Sequence, residues 1–244
     1  MLPTFFPSEL SAKPTDILSM PIEDRGNSRV VEHSLAKDTL TRLRDADTEP
    51  RRFREGLVRI GRICGYELSD EVVETRKTRV QTPLSETEAI RARDEGIVVV
   101  NVLRAATPFI EGILDTLPNA RQGVISASRE ESTENQQKGF PVTVEYVKMP
   151  EIEGDDTVVV ADPMLATGST MSSVLDRIEE VSSGDPDVSV LSVVSAPEGI
   201  ERIADGYPEV DQVTVSVDDY LNEDGYIVPG LGDAGDRAFG TGNT

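Results

Sequence analysis

The stretch VVVADPMLATGST, residues 158–170, decides how this chain folds. It begins inside an apolar run over 156–163, which is typical of a strand buried on both faces of a sheet. A helix is predicted over 170–181, and the first N–H groups of a helix are unpaired and favour an anion. Because open α/β folds bind ligands at the carboxyl ends of their strands, the stretch predicts a cradle for a sugar phosphate.

The side chains of this loop fit a small phosphate ester. Asp162 follows the strand and can accept hydrogen bonds from hydroxyl groups, while Gly168 allows close approach of the backbone. Thr167, Ser169 and Thr170 add hydroxyl groups. No lysine follows the glycine, so the loop is not the GxxxxGK(S/T) type that binds nucleoside triphosphates. The alternative is simple helix capping by serine or threonine, and the preceding strand with Asp162 argues against it.

Outside this stretch, apolar strands alternate with helical patterns. Strands are predicted over 97–104, 123–128, 142–150, 188–196 and 210–218, and helices over 33–45, 52–66, 107–117 and 197–207. Such alternation predicts an α/β fold with a mainly parallel, twisted sheet flanked by helices. One domain is expected over residues 20–244, whereas residues 1–19 are expected to be a disordered or mis-called N-terminal extension.

Three segments fall outside this alternation. Residues 71–83 alternate in character and predict a strand or one arm of a hairpin. Residues 129–140 are polar and predict a mobile loop. The tail over 224–243 is rich in glycine, but its scattered apolar residues predict a loop of fixed shape.

The charge balance excludes some partners. Asp and Glu number 45 against 24 Lys and Arg, for a net charge of −21. Such a surface repels nucleic acids and anionic membranes, so neither is an expected partner. Acid spread along the whole chain suits a halophilic, salt-rich cytoplasm, where screening weakens self-repulsion; the alternative is an acidic interaction surface. No apolar run is long enough to span a membrane and no signal peptide is evident, so a cytoplasmic location is expected.

Two single residues limit the chemistry. Cys64 is the one cysteine and His33 the one histidine, which excludes an internal disulfide and any mechanism that needs two histidines. Cys64 is expected to be a small buried hydrophobic residue rather than a nucleophile.

Four segments together resemble a known family. Residues 158–170 resemble the signature of type I phosphoribosyltransferases, which use 5-phosphoribosyl 1-diphosphate (PRPP), and the DPMLATG spelling resembles that of uracil phosphoribosyltransferases. The segments LRAATPFIEGIL (103–114) and SREE (128–131) resemble the arginine-bearing segments of that family. The segment GYIVPGLGDAGDRAFGT (225–241) matches the family's uracil-binding end almost letter for letter.

Three positions depart from the family pattern. Ala161 stands where many members have an additional acid, and Ala106 and Ser169 stand where glycine is common. The two side chains at 106 and 169 narrow the space beside the diphosphate, so they are expected to alter its affinity.

The resemblance implies a type I phosphoribosyltransferase fold with a β-arm and a C-terminal uracil-binding hood loop, residues 225–241. It implies that PRPP is bound by Arg104, Arg129, Asp162, Pro163, Met164, Leu165, Ala166, Thr167, Gly168, Ser169, Thr170 and Asp233. It implies that uracil is bound by Ile227, Gly232, Asp233 and Ala234. The catalytic residues are expected to be Arg104, Asp162 and Asp233. No direct metal ligand is expected, because Mg²⁺ would arrive with PRPP and contact Asp233 through water.

The same residues have plainer interpretations without the resemblance. Arg104 would then end a buried strand and pair with a helix carboxylate. Arg129 would be a solvated charge, and Asp233 and Asp236 would be turn or cap residues.

The function implied by the resemblance is pyrimidine salvage: uracil and PRPP give UMP and diphosphate. A homodimer or higher homo-oligomer is expected, with GTP or CTP as a candidate effector. One alternative is a nucleotide-sensing regulator on the same fold that binds RNA, which would need a basic face. The other is a transferase for another base: orotate would need a cation near its carboxylate, and purine enzymes lack the 225–241 ending.

Overall fold

A computed structural model of the chain describes residues 22–24, 26–129 and 142–242. The helices are α1 (Ser34–Arg44), α2 (Pro50–Val72), α3 (Thr107–Leu114), α4 (Ser169–Val181), α5 (Pro197–Gly206) and α6 (Ala234–Phe239). The strands are β1 (Ile22–Asp24), β2 (Arg29–Val31), β3 (Glu74–Gln81), β4 (Glu86–Arg93), β5 (Ile97–Leu103), β6 (Arg121–Arg129), β7 (Val142–Lys148), β8 (Thr157–Ala161), β9 (Met164–Leu165), β10 (Asp187–Ser195), β11 (Asp211–Val217), β12 (Tyr220–Leu221) and β13 (Ile227–Val228). The predicted extension over 1–19 and nearly all of the loop predicted over 129–140 lie outside the described residues.

The central sheet has the strand order β1-β2-β11-β10-β8-β5-β6-β7. Its interior pairs, from β2·β11 to β5·β6, are all parallel, whereas β1·β2 and β6·β7 at the two edges are antiparallel. The predicted mainly parallel α/β sheet is therefore confirmed. The β1–β2 hairpin is an addition that the sequence patterns did not predict, since each strand has three residues and no period can be read from them.

Successive residues of the central strands face two separate cores. Val99 and Val159 pack with α1, α2, α3 and α6, whereas Val98 and Val158 pack with α4 and α5 on the other face. This alternation is the normal pleat of a strand, with both faces covered by crossover helices. Each fully buried valine of this kind contributes about 1.5–3 kcal/mol to stability.

Helix α2 runs six residues past the predicted end at residue 66, through to Val72. Polar residues dominate its last turns, but Leu68 is buried and follows the buried Cys64 by four residues, so the apolar stripe continues. The glycines of this helix serve packing: a Cβ on Gly61 would lie 2.1 Å from the carbonyl oxygen of Phe109 in α3. The prediction of its C-terminal end was wrong because the last turns are mostly polar, and the burial of Leu68 depends on tertiary packing that the local sequence does not show.

The predicted arm is a hairpin that stands apart from the central sheet. Strands β3 and β4 pair antiparallel from Glu74↔Arg93 to Gln81↔Glu86. The prediction started it too early, at residue 71, because α2 occupies residues 71 and 72.

The glycine-rich tail is more regular than predicted. Strands β12 and β13 pair antiparallel, and α6 follows within the hood loop. Short elements of two to six residues carry too few positions for a period to be recognised in the sequence. Across the described ranges, no helix is long and apolar enough to cross a membrane.

Candidate active site

The phosphate cradle begins where β8 ends at the carboxyl edge of the sheet. The N–H of Asp162 donates to the carbonyl of Leu191 at 3.1 Å, and its Oδ1 accepts from the N–H of Met164 at 3.1 Å. The chain steps sideways there, because Met164 and Leu165 then pair with the far end of β10 as β9. The step leaves Asp162 half-buried on the wall of a cavity, which suits a carboxylate that receives hydroxyl donors.

Gly168 stands at the cap of α4 with a φ of +76°. This is the left-handed conformation that glycine adopts at no steric cost. Gly168 has no side chain with which to cap α4, and the Thr167 hydroxyl accepts from the Ser169 N–H at a long 3.4 Å, so the capping alternative is met only weakly. Thr167 and Ser169 are buried, and the hydroxyl of Thr167 donates to that of Ser169 at 3.2 Å, so they stabilise the loop itself.

Gly199 in the first turn of α5 supports the cradle from behind. A Cβ at this position would lie 2.4 Å from the carbonyl oxygen of Ala166 and 2.9 Å from that of Leu165. A glycine is therefore required for α5 to pack this closely against the loop. Sequence analysis missed this residue; the one available signal was a glycine early in a predicted helix.

A cavity of about 480 Å³ opens beside the cradle. It brings together five of the predicted site residues, from three separate segments of the chain: Arg104, Asp162, Met164, Thr170 and Asp233. The other predicted cradle residues form the loop around these, namely Pro163, Leu165, Ala166, Thr167, Gly168 and Ser169. Ile227, Gly232 and Ala234 lie in the hood loop, outside the described lining of the cavity.

Arg104 lies at the mouth of the cavity, directly after β5 and a cis peptide bond from Leu103. Its Nη2 lies 3.1 Å from Oδ1 of Asp236, and its guanidinium carbon lies 5.5 Å from the ring centre of Phe239. Both partners belong to α6 in the hood loop. The plainer interpretation of Arg104, a strand-end arginine paired with a helix carboxylate, is thus observed, and it coexists with a position on the cavity wall.

The three predicted uracil contacts of the hood loop carry no exposed side chain. The side chains of Ile227 and Ala234 are buried in the core, and Gly232 has no side chain and a φ of +67°. Asp233 caps α6, with its Oδ1 accepting from the N–H of Asp236 at 2.8 Å, as the cap interpretation predicted. Because Asp233 also lines the cavity, capping and ligand contact are compatible.

Arg129 is the last residue of β6 and the last described residue before the gap at 130–141. β6 carries Ser126 and Ala127 to the cavity wall and ends at Arg129. The side chain of Arg129 falls outside the described part of the chain, so its contact with PRPP stays a prediction.

Two half-buried arginines fasten the hood loop to α1, and the sequence analysis missed both. Arg44 in α1 pairs with Asp218 and donates to the Gly230 carbonyl, and Arg237 donates to the carbonyls of Leu43 and Leu231. Burial alone would raise the pKa of Asp218, but hydrogen bonds from Arg44, from the Ser216 hydroxyl and from the backbone outweigh it and hold that pKa below its usual range.

Cys64 takes no part in this site. It is fully buried in α2, and burial is the main reason that the pKa of its thiol rises to about 12. A thiol in that state does not act as a nucleophile near neutral pH.

A mainly parallel sheet with crossover helices on both faces and a strand–loop–helix turn at its carboxyl edge is the fold of the type I phosphoribosyltransferases. The solved adenine phosphoribosyl transferase of Trypanosoma brucei has this fold: it superposes with a TM-score of 0.51 over 82% of this chain and 88% of that one, at 15% identity. The chain itself belongs to the uracil phosphoribosyltransferase family, whose sequence model matches residues 30–241.

One relative supports this assignment, and one solved structure shares the fold, each over most of the chain. The uracil phosphoribosyltransferase of Haloarcula marismortui is 59% identical over 224 residues, which cover 91% of this chain and 100% of that one. The solved AQ2163 protein from Aquifex aeolicus is 34% identical, with a TM-score of 0.79 over 88% of this chain and 99% of that chain.

Proposed function

We propose that the chain transfers the phosphoribosyl group of PRPP to uracil, giving UMP and diphosphate in pyrimidine salvage. In this reaction the bond from ribose C1 to the diphosphate oxygen breaks, a bond from C1 to uracil N1 forms, and N1 loses its proton. The proposal rests on one observation: the cradle, Arg104 and the hood-loop residue Asp233 border the same cavity.

The cradle is assigned the ribose 5-phosphate end of PRPP. The open start of α4, behind Gly168, offers backbone N–H groups and the positive end of the helix dipole to the phosphate. The Thr170 hydroxyl lines the same cavity and adds a donor. Asp162 is assigned the ribose hydroxyls, which would donate to its carboxylate.

Arg104 is assigned the diphosphate. Charge builds up on this group as the C1–O bond breaks, and the transition state is expected to resemble an oxocarbenium ion, as in glycoside hydrolysis. A guanidinium has five N–H donors and can pair with phosphate through two of them, so Arg104 can serve the diphosphate while keeping one bond to Asp236. Arg129 is proposed as the second cation, from the end of β6.

The hood loop is assigned the base. Uracil is small, flat and neutral, and its O2, N3–H and O4 edge can be read by backbone groups held in a fixed shape. Ile227, Gly232 and Ala234 are proposed to supply such groups, since the side chains of Ile227 and Ala234 are buried and Gly232 has none. Asp233, which lies between Gly232 and Ala234 in the chain and lines the cavity, is proposed to contact PRPP or its hydrated metal ion.

Magnesium is proposed as the cofactor that accompanies PRPP. The carboxylates of Asp162 and Asp233 both border the cavity, and Mg²⁺ prefers such hard oxygen groups while keeping several waters. Within the described ranges, no three His, Cys, Asp or Glu side chains are grouped to hold a metal ion by themselves. Asp162 and Asp233 would hold the hydrated ion, which would neutralise charge on the leaving diphosphate.

A second copy of this chain is the proposed partner of the β3–β4 hairpin. An isolated two-stranded hairpin is marginally stable in water, and Leu84 at its tip and Ile90 on β4 are largely exposed. Five basic and three acidic side chains between residues 74 and 93 make the arm net positive on a chain of net charge −21. The positive arm is thus complementary in charge to an acidic neighbouring copy. Light scattering should show a dimer or higher oligomer. The double variant Leu84→Asp/Ile90→Asp should dissociate it.

The direct test is an assay of the purified protein with PRPP, Mg²⁺ and a panel of bases in molar KCl. Release of diphosphate with uracil, and not with orotate, adenine or hypoxanthine, is expected. Asp233→Asn should lose most of this activity, whereas Asp224→Asn, an exposed carboxylate of the same tail, should keep it. No turnover by the folded wild-type protein, or preference for another base, would reject the proposal.

Two further expectations are checked alongside this assay. Addition of GTP or CTP tests whether either is an effector. Filter binding with RNA tests the regulator alternative, which the family membership and the acidic composition do not favour. The cytoplasmic location and the halophilic setting stay predictions from composition.

A further inference from the structure

An ion pair outside the cavity is built into the turn that carries the base-binding backbone. Arg44 is the last residue of α1, and Asp218 directly follows β11. Two parallel bonds join them: Nη1 to Oδ2 at 2.8 Å and Nη2 to Oδ1 at 2.6 Å. The Asp218 side chain is 2% exposed, and the Ser216 hydroxyl donates to its Oδ1 at 2.8 Å. The geometry is that of a rigid bidentate pair rather than a mobile surface contact.

The same pair holds both backbone polar atoms of Gly230. The N–H of Gly230 donates to Oδ2 of Asp218 at 2.8 Å, and its carbonyl accepts from Nη1 of Arg44 at 3.2 Å. Gly230 has a φ of +60°, and a Cβ there would lie 2.1 Å from the carbonyl oxygen of Ile227. The turn is therefore packed tightly against Ile227, and Arg44 and Asp218 hold it in place. Gly230 lies in the chain between Ile227 and Gly232, two residues proposed to bind uracil.

We propose that Arg44 and Asp218 are positioning residues that hold the hood loop in the shape that recognises the base. The inference rests on the proposed uracil transfer. The Asp218 side chain is buried and both of its oxygens are bonded to Arg44, Ser216 or Gly230, so the pair acts through Gly230 and not on substrate. PRPP is assigned to other segments, the cradle and Arg104. None of the hydrogen bonds described for Arg44 and Asp218 reaches those segments. Loosening the pair should therefore weaken use of the base and spare PRPP.

Steady-state kinetics with each substrate varied in turn separate this role from plain stabilisation. Asp218→Asn and Arg44→Lys should each raise KM for uracil by about tenfold to a hundredfold, since an error of about 1 Å in positioning costs up to about a hundredfold. KM for PRPP should stay within about twofold. Arg44→Lys keeps the charge but cannot reach both carboxylate oxygens and the Gly230 carbonyl together, so it tests geometry rather than charge.

A second arginine–aspartate pair, at the other end of β11, is the control. Arg29 on β2 pairs with Asp211 at the start of β11, and Nε of Arg29 lies 2.9 Å from Oδ1 of Asp211. Asp211→Asn and Arg29→Lys should lower stability yet leave both KM values near those of the wild-type enzyme. If they raise KM for uracil as much as the Arg44 and Asp218 variants do, the effect is general loosening and the proposal is wrong.

The remaining outcomes are also decisive. If Asp218→Asn fails to fold, Ser216→Ala provides a milder variant. It removes one bond to Asp218 and one from Arg44 without touching Gly230, and it should raise KM for uracil alone by a smaller factor. An unchanged KM for uracil in folded Arg44→Lys, or equal increases for both substrates, would overturn the positioning role. Failure of the proposed function is distinguishable, because it would appear as absent uracil turnover in the wild-type protein.

Discussion

Arg104 and Asp236 form an ion pair at the mouth of the cavity, with 3.1 Å between Nη2 of the arginine and Oδ1 of the aspartate. The arginine follows β5 and the aspartate lies in α6, 132 residues later in the chain. The contact joins the proposed diphosphate side of the site to the hood loop. Asp236 Oδ1 also accepts from the Thr241 hydroxyl at 2.5 Å, which fixes the carboxylate that orients Arg104.

Arg104→Lys should lower kcat/KM for PRPP by about tenfold to a hundredfold, because lysine is a point charge that cannot pair with phosphate through two parallel bonds. The measurement is steady-state kinetics in molar KCl. Arg62→Lys is the matched control: Arg62 and Arg104 are both 53% exposed, and Arg62 pairs with Asp115 away from the cavity. Equal losses of kcat/KM in the two variants would show that Arg104 does not bind the diphosphate.

Gly199→Ala should raise KM for PRPP, because the new methyl group would lie 2.4 Å from the Ala166 carbonyl and push the cradle out of place. A displacement near 1 Å predicts a loss of up to about a hundredfold. Gly206→Ala, at the end of the same helix, is the control, since no atom of the described residues lies within 4 Å of its added methyl. That variant should match or exceed the wild-type stability and keep its KM. A normal KM in folded Gly199→Ala would mean that the cradle tolerates displacement.

The fold should lose stability in acid partly through Asp156, which is buried at the opposite edge of the sheet and pairs with Arg121. Burial alone would raise the pKa of Asp156, but hydrogen bonds from Arg121 and from the Glu153 N–H hold it below its usual range. The charged form therefore favours the folded state. Its contribution is complete above the unfolded-state pKa, about 4, and is lost as the pH falls through the lower folded-state value.

Asp156→Asn should accordingly lower the free energy of unfolding at pH 7 by about 1–3 kcal/mol, the cost of leaving a buried partner unsatisfied. The difference from wild type should shrink as the pH falls below about 4. Urea unfolding at several pH values measures both effects. Asp155→Asn, an exposed neighbour, should behave as wild type throughout; a constant difference between Asp156→Asn and wild type at all pH values would contradict the assignment.

The whole fold should loosen in dilute buffer, because a net charge of −21 repels itself and salt screens that repulsion. Circular dichroism and the unfolding midpoint should both improve between dilute buffer and molar KCl. An uncharged osmolyte at the same osmolarity is the control, because it is excluded from the protein surface but does not screen charge. A signal and midpoint that do not change with salt would remove the basis for the halophilic expectation.

The sequence alone determined the elements whose information is local. Buried strands such as β5 and β8 appear as continuous valine runs, because both of their faces are covered. The cradle is readable for the same reason: a strand, a glycine in a left-handed turn and a helix start occupy neighbouring positions. The hood loop was recognisable from its residue identities, which are more specific to one family than any hydrophobic periodicity is.

Tertiary structure alone decided which distant residues support those elements. Arg44 and Asp218 are 174 residues apart, and Gly199 meets Ala166 across one helix and one strand, α4 and β10. No spacing in a sequence records such contacts, because they depend on how the sheet brings separate loops to one edge. The same holds for Arg104, whose place after a strand was predictable, whereas its partner Asp236 followed only from the packing of the hood loop over the cavity.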